Sequence, residues 1–166
     1  MSETVVKRSE KLAFYGVKGE GDAVTYHRMA GFTDISTSKN PKEYSRQYVD
    51  EDAERTDVVG YAPSIAYGFD YFKGNAVHED LIKISDDELM GQEATRSILI
   101  VDVGATGPNA MKRDFAVIPD SEGDSTDAYT YSGNLKAKGA KVKGTAASTD
   151  GWQTCTFTEP SEEPGA

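Results

Sequence analysis

Residues 75–91 read NAVHEDLIKISDDELMG, and the pattern of this stretch differs from that of the rest of the chain. Val77, Leu81 and Ile84 are spaced i, i+4 and i+7, so they would share one face of an α-helix. Elsewhere the apolar residues mostly recur at even spacings, which is typical of β-strands. The sequence therefore predicts one helix, near residues 76–90, packed on a sheet that would otherwise expose an apolar face.

The ends of this helix and the segment after it are also marked. Asn75 can cap the N-terminus, because its side-chain oxygen accepts hydrogen bonds from the free amides of the first turn. Residues 85–88, SDDE, match a capping box for a further turn, and Gly91 is a suitable residue just beyond a helix end. The short apolar run SILIVDV at 97–103 then predicts a strand.

Short β-prone segments separated by Gly, Pro, Asn and Asp occupy most of the remaining chain. The predicted strands are LAFYGV (12–17), TYHRMAGF (25–32), EYSRQYV (43–49), DVVGYAPSIAYGFDYF (57–72), FAVI (115–118), AYTYSGNLKA (128–137), KVKGTA (141–146) and WQTCTFT (152–158). Pro63, inside one of them, indicates an edge position or a bulge, because proline cannot donate to the strand ladder. This pattern predicts a mainly β fold of two packed antiparallel sheets, as a sandwich or partial barrel, with the one helix flanking it.

The length of 166 residues suits a single domain, which we place at residues 11–158. Residues 1–10 have little apolar content and are predicted to form a flexible arm, and the Pro- and Glu-rich residues 159–166 a disordered acidic tail. No window approaches the ~18 apolar residues of a membrane helix, so we expect no membrane insertion. The single cysteine, Cys155, excludes an internal disulfide and favours synthesis in a reducing cytoplasm.

Charge is distributed unevenly along the chain, whose formal net charge is -10. Residues 47–127 contain 6 basic and 18 acidic residues, a net charge of -12. Nucleic-acid affinity comes mainly from neutralising phosphates, so a segment this acidic is expected to repel DNA. The alternative is a soluble, self-repelling surface with no further role.

The sequence contains no convincing catalytic or metal-binding motif. His27, His78 and Cys155 carry no local partner pattern for nucleophilic catalysis. An EF-hand loop beginning at Asp120 would need glycine at its sixth position and glutamate at its twelfth, but these positions are Ser125 and Tyr131. We therefore expect no enzymatic activity, no metal and no cofactor.

A cluster of four lysines stands out in the segment LKAKGAKVKGTAAS, residues 135–148. With Gly139-Ala140 as a turn, these lysines would lie on one side of a β-hairpin and leave Leu135 and Val142 facing the core. A nucleic-acid patch would need interleaved aromatic residues and a basic surround, which the sequence lacks. Two interpretations remain: a solvated edge hairpin that resists aggregation, or a contact with another subunit.

The order of these segments resembles that of the major tail tube proteins of long-tailed bacteriophages. The resemblance covers roughly residues 10–158. Its motifs are the helix followed by a strand ending Val101-Asp102-Val103, then Ala116-Val117-Ile118-Pro119, Tyr131-Ser132-Gly133-Asn134-Leu135, Gly139 and Lys143-Gly144-Thr145. It implies two packed antiparallel sheets flanked by one helix, a fold also seen in type VI secretion tube proteins.

The resemblance also implies a structural, non-enzymatic role in the virion tail, after synthesis in the cytoplasm of a bacterial host. Six copies would form a ring, and the rings would stack into a tube. The tube would enclose the tape-measure protein, conduct DNA as non-specific cargo, and meet the tail terminator and the distal tail or baseplate proteins. The alternative is a monomeric β-sandwich that binds a glycan or acts as an adhesin, suggested by Tyr61, Tyr67, Tyr71 and Trp152.

Under this resemblance the loop VDEDAERTD, residues 49–57, is expected to reach a neighbouring subunit or ring. The other possibility is a solvated hairpin tip. In a ring of acidic copies, the lysine cluster is a natural partner for such a loop. The candidate intersubunit residues are Asp50, Glu51, Asp52, Glu54, Arg55 and Asp57 in the loop, and Lys136, Lys138, Lys141 and Lys143 in the lysine cluster.

Overall fold

A computed structural model of the protein describes residues 3, 5–7, 10–18, 24–104, 108–123 and 126–159. Within these residues it contains the helix α1 (Ala76–Asp86), a short 3-10 helix (Gly91–Ala94) and eleven β-strands. The strands are β1 (Lys11–Lys18), β2 (Val24–Arg28), β3 (Phe32–Ser38), β4 (Pro41–Arg46), β5 (Arg55–Tyr61), β6 (Ser64–Asp70), β7 (Thr95–Asp102), β8 (Ala110–Glu122), β9 (Thr130–Ala137), β10 (Val142–Ala147) and β11 (Thr154–Thr158). Five residues of the predicted N-terminal arm (1, 2, 4, 8 and 9) and residues 160–166 of the predicted tail lie outside the described residues.

The start of α1 is as predicted. The side-chain oxygen of Asn75 accepts hydrogen bonds from the amides of Val77 and His78, at 3.1 and 3.2 Å. Val77, Leu81 and Ile84 are buried, as their spacing predicts. The helix is therefore held by its cap and by one apolar face packed on the sheet.

The end of α1 comes earlier than predicted. The amide of Leu89 donates to the carbonyl of Ile84 at 3.1 Å, and Glu88 has a φ of +50°. This is a Schellman-type ending with a left-handed residue just beyond the helix. The predicted capping box at 85–88 is therefore wrong, and Gly91 begins the 3-10 helix instead of ending α1.

The strands form one nine-stranded sheet and a separate two-stranded ribbon of β4 and β5, and every pairing is antiparallel within the described residues. The order in the large sheet is β10-β11-β2-β1-β7-β8-β9-β6-β3. Because β10 also pairs with β8, the first six of these strands close into a small barrel. The other three strands, β9, β6 and β3, continue beyond β8, and we call them the wing. The prediction of a mainly β, antiparallel fold with one flanking helix is confirmed, in the form of a partial barrel.

Two buried clusters lie on the two faces of the shared strands. Tyr15 and Ile98 belong to the cluster between the sheet and α1, whereas their neighbours Phe14 and Leu99 belong to the cluster inside the barrel. Alternate residues of β1 and β7 thus point into different cores. This double burial explains the four consecutive apolar residues, from Ile98 to Val101, within β7.

The predicted lysine hairpin is wrong, because β9 and β10 do not pair with each other. Both lie along the same edge of β8, with Ala137 opposite Phe115 and Val142 opposite Lys112. β8 has 13 residues, far more than the predicted 115–118, so one edge accommodates both strands end to end. Gly139-Ala140 accordingly lies in a break between two nearly collinear strands.

A long β-hairpin projects from the wing. β3 pairs with β6 as far as Ser38 opposite Ser64, and β4 pairs with β5 from Pro41 opposite Tyr61, so the register continues from one pair to the next. Only the inner half, β3 and β6, belongs to the large sheet. We call the outer half, residues 41–61, the arm.

The boundary between the inner half of this hairpin and the arm is marked on both strands, but the sequence pattern indicates it on only one of them. Pro63 interrupts the predicted strand 57–72 and separates β5 from β6, as an irregularity there predicts. Across from it, Asn40 has a φ of +46°, and its side-chain amide donates to the carbonyl of Ala62 at 3.0 Å. β3 was not predicted, because its sequence FTDISTS is polar and mostly exposed.

Candidate assembly interface

The arm is exposed over almost its whole length. Every residue of β4 and every residue of β5 except Gly60 is exposed. A two-stranded ribbon alone in water is marginally stable at best. Its exposed large apolar side chains are Tyr44, Tyr48, Val49, Val58, Val59 and Tyr61. The arm therefore presents apolar surface suited to burial against another molecule.

Cross-strand contacts hold the ribbon together despite this exposure. The hydroxyls of Ser45 and Thr56 are 3.0 Å apart. The guanidinium groups of Arg46 and Arg55 lie 5.8 and 5.7 Å from the centre of the Tyr48 ring. Such contacts contribute a few tenths of a kcal/mol to about 1 kcal/mol each at exposed positions, enough to orient the arm but not to shield it.

The far end of the arm carries the acidic residues predicted from the sequence, and we call residues 50–57 the acidic tip. Its one cation, Arg55, forms a salt bridge from Nε to Glu51 Oε2 at 2.7 Å. The other carboxylates of the tip have no hydrogen bond or ion pair with any described residue. They belong to Asp50, Asp52, Glu54 and Asp57.

The structure separates the four predicted lysines into two groups, all of them exposed. Lys136 lies in β9, opposite Ser64, and Lys138 donates from Nζ to Thr95 Oγ1 at 3.0 Å. Lys141 and Lys143 lie beyond the break, beside the part of β8 that pairs with β10. The lysines therefore follow a strand edge and do not share the face of a hairpin.

Lys141 belongs to a positively charged cleft at the foot of the arm that the sequence does not reveal. The cleft has a volume of about 410 Å³ and opens to solvent. Its lining is Lys39, Tyr61, Pro63, Arg113 and Lys141, and we call it the basal cleft. Partial desolvation and then the charges of Lys39, Arg113 and Lys143 lower the pKa of Lys141.

Arg113 is the least satisfied group in this cleft. Its Nε is buried and has no hydrogen-bond partner among the described residues. Lys39 precedes β4, whereas Arg113 lies within β8, so no local sequence pattern connects them. Only the fold of the wing brings these two cations together with Lys141.

Burial shifts the pKa values of Cys155 and His78, two residues of types that enzymes often use. Burial raises the pKa of the Cys155 thiol to about 11, which disfavours the nucleophilic thiolate. His78 is fully buried, and burial lowers its pKa. Its Nδ1 accepts from the amide of Phe72 at 3.2 Å, and its Nε2 donates to the carbonyl of Ala30 at 3.0 Å. Within the described residues, no group of three or more His, Cys, Asp or Glu side chains is arranged to hold a metal ion.

The aromatic residues that suggested glycan binding do not form one exposed platform. Tyr67 is buried in the core, and Tyr71 is packed against it at partial exposure. Trp152 packs on Phe14, with ring centres 6.2 Å apart. Only Tyr61 is largely exposed, and it lies on the arm.

No helix of the described residues is long and apolar enough to span a membrane. The described residues together form a small antiparallel barrel, a wing, one flanking helix and a projecting hairpin. Chains in solved structures share this fold.

Two of the similar structures come from gene transfer agent (GTA) particles. A chain in the tail of an empty GTA particle, solved by helical refinement with C6 symmetry, matches with a TM-score of 0.61 and 13% identity, over 82% of this chain and 97% of that chain. A chain in the virion of a native GTA particle matches with a TM-score of 0.60 and 11% identity, over 85% of this chain and 100% of that chain. At these identities the likeness is one of fold.

A more distant match is a chain of the anti-feeding prophage baseplate, with a TM-score of 0.47 and 8% identity, over 86% of this chain and 97% of that chain. No family model matches the sequence. No curated protein sequence matches it either. The similarity is therefore structural, and one of the matched chains lies in the tail of a GTA particle.

Proposed function

We propose that this chain is a structural subunit of a phage-like tail tube, in which six copies form a ring and rings stack into the tube. The observation that carries this proposal is the exposed arm, on a fold shared with a chain of a C6-symmetric tail. A ribbon with this much exposed apolar surface gains stability when another subunit covers it. Sixfold assembly supplies such a neighbour for every copy.

The proposal includes the contents and ends of the tube. The lumen encloses the tape-measure protein before ejection and conducts DNA into the host afterwards. The net charge of -12 over residues 47–127 supports conduction without binding, because a negative wall repels phosphates. The tube meets a tail terminator at one end and distal tail or baseplate proteins at the other.

The chain acts in this role as a single non-enzymatic domain, residues 11–158, without a cofactor. It is made in the bacterial cytoplasm and ends in the virion tail. The acidic tip and the four lysines are its intersubunit contacts. The raised pKa of Cys155 is consistent with a structural part for this thiol.

Electron microscopy of the purified protein tests the proposal. We expect rings or tubes in negative stain, with sixfold end views, above a critical concentration. Deleting residues 51–56 is expected to abolish the tubes and leave a folded monomer with an unchanged circular dichroism spectrum. A variant with six Gly and Ser residues in place of 51–56 keeps the loop length and shows whether the charges are required.

Two outcomes contradict the proposal at different levels. A wild-type protein that stays a monodisperse monomer at high concentration would exclude the tube function. Normal tubes from the deletion variant would exclude the acidic tip as a required contact.

A further inference from the structure

The basal cleft is lined by three cations and by no acidic residue among the described part of the chain. None of its cations Lys39, Arg113 and Lys141, nor the adjacent Lys143, forms an ion pair with a described residue. A buried donor without a partner, such as Arg113 Nε, destabilises the fold, and the cost is larger when the group is charged. A carboxylate is the group that best satisfies a guanidinium, because it can accept two parallel hydrogen bonds.

The same chain carries the complementary surface. The acidic tip has four carboxylates without a partner among the described residues, and the cleft region has four cations without one. The chain as a whole has 18 Lys and Arg against 28 Asp and Glu, so a cleft whose charged lining is entirely basic differs from the average of the chain. The charges of the two surfaces are opposite in sign and equal in number.

The tip cannot reach the cleft of its own chain. Tyr61 lines the cleft at one end of β5, and Arg55 stands at the other end, six residues away. An extended strand rises about 3.3 Å per residue, so about 20 Å separate the foot of the arm from its tip. The hydrogen-bonded ladder from Pro41–Tyr61 to Arg46–Arg55 keeps the arm extended.

We infer that the basal cleft receives the acidic tip of a second copy of this chain, through salt bridges from Arg113, Lys141 and their neighbours to the tip carboxylates. This inference rests on the proposed function and specifies its contact. The contact joins two different surfaces, so it runs head to tail from copy to copy and either closes a ring or continues as a helical stack. Exposed Tyr61, at the rim of the cleft, adds apolar surface for the incoming arm.

Charge reversal with mixing tests this inference directly. The tip-reversed variant carries Asp52→Lys and Glu54→Lys, and the cleft-reversed variant carries Lys141→Glu and Lys143→Glu. Each alone is expected to raise the critical concentration for assembly about tenfold or more, because like charges then face each other at every contact. An equimolar mixture is expected to recover most of the loss, because each reversed tip then meets a reversed cleft. Lys73→Glu with Lys83→Glu is the control for net charge, since both lysines are exposed and away from the cleft lining.

The outcomes separate this inference from the function on which it rests. Wild-type tubes together with a mixture that assembles no better than either variant alone would overturn the inference and leave the tube function standing. If the wild type forms no tubes, sedimentation of a mixture of the tip-reversed and cleft-reversed variants at low salt tests the contact. A complex of the two variants supports the contact, and the absence of a complex excludes it. A further outcome is that the wild-type cleft binds inorganic phosphate or a short DNA duplex while the reversal variants assemble normally. That outcome would assign the cleft to another anion and would also exclude the contact.

Discussion

The ion pair that fastens α1 to the sheet gives a prediction whose size follows from the structure. Arg96 donates from Nε to Asp80 Oδ2 at 2.8 Å, and the Tyr15 hydroxyl donates to the same oxygen at 2.5 Å. The two charged side chains are only 9% and 15% exposed. Burial and then the charge of Asp80 raise the pKa of Tyr15 well above its ordinary value, so the phenol stays a donor near neutral pH.

Asp80→Ala is expected to destabilise the fold by about 3 kcal/mol. Removing one partner of a buried ion pair costs about 3–5 kcal/mol, because the remaining charge loses its counter-ion. The lower end applies here, because Arg96 keeps hydrogen bonds from Nη1 to the carbonyls of Glu93 and Thr95, both at 2.8 Å. In a domain of this size about 3 kcal/mol corresponds to a fall in Tm of about 6–12 °C.

Urea unfolding followed by circular dichroism and by Trp152 fluorescence measures this effect. The double variant Asp80→Leu with Arg96→Met is the matched control, because it removes both charges and keeps apolar volume. It is expected to recover at least half of the loss. A loss below about 1 kcal/mol for Asp80→Ala, or a double variant less stable than the single one, would refute the reasoning.

Two further predictions concern the cores. Because burial lowers the pKa of His78 in the folded state, the unfolded chain binds its proton more readily, so the free energy of unfolding should fall as pH drops below the ordinary value of 6.5. The His78→Phe variant should be less stable overall, but its free energy of unfolding should no longer fall between pH 6.5 and 5. Urea titrations at several pH values measure this. If the variant shows the same pH dependence as the wild type, another group is responsible for it. A Cβ on Gly144 would lie 2.5 Å from the carbonyl oxygen of Thr158 and from the Phe157 ring, so Gly144→Ala should cost about 1–3 kcal/mol by forcing β10 away from β11. Gly139→Ala, where a Cβ meets nothing within 4 Å, should change stability by less than about 0.5 kcal/mol, and equal effects of the two in thermal unfolding would contradict the packing argument.

The fold was predictable where one local pattern decides the structure. Asn75 caps α1 as expected, and the apolar spacing of the helix matches its buried face. The run at 97–103 corresponds to β7, whose two faces enter two cores. In such segments, a few neighbouring residues determine the secondary structure.

The errors arise where strand partners are chosen by the whole fold. The residues around Gly139-Ala140 look like a hairpin turn, yet the long edge of β8 offers β10 a better partner than β9 does. β10 can pair with β8 because β8 is long. That length was not predicted, because only part of its 13 residues are apolar. β3 escaped prediction for the same reason.

The candidate site was half visible in the sequence. The acidic tip is a contiguous run, so composition alone locates it. The basal cleft draws on Lys39, Arg113 and Lys141, which are distant in the chain and meet only when β8 and the foot of the arm come together. The role of the tip and the lysines in assembly remains a prediction.

The closure of the barrel has a consequence for the timing of folding. β2, near the start of the chain, is flanked by β11, where Tyr26 stands opposite Cys155. Pairings between such distant segments are slow to form, because the entropic cost of closing a large loop comes before the contact can stabilise the chain. A ribosome that has released only the segments before β10 therefore holds a chain whose first strands still have an open edge. The arm, made of neighbouring residues, can fold while that edge is open, so the chain can present its acidic tip before its barrel is complete.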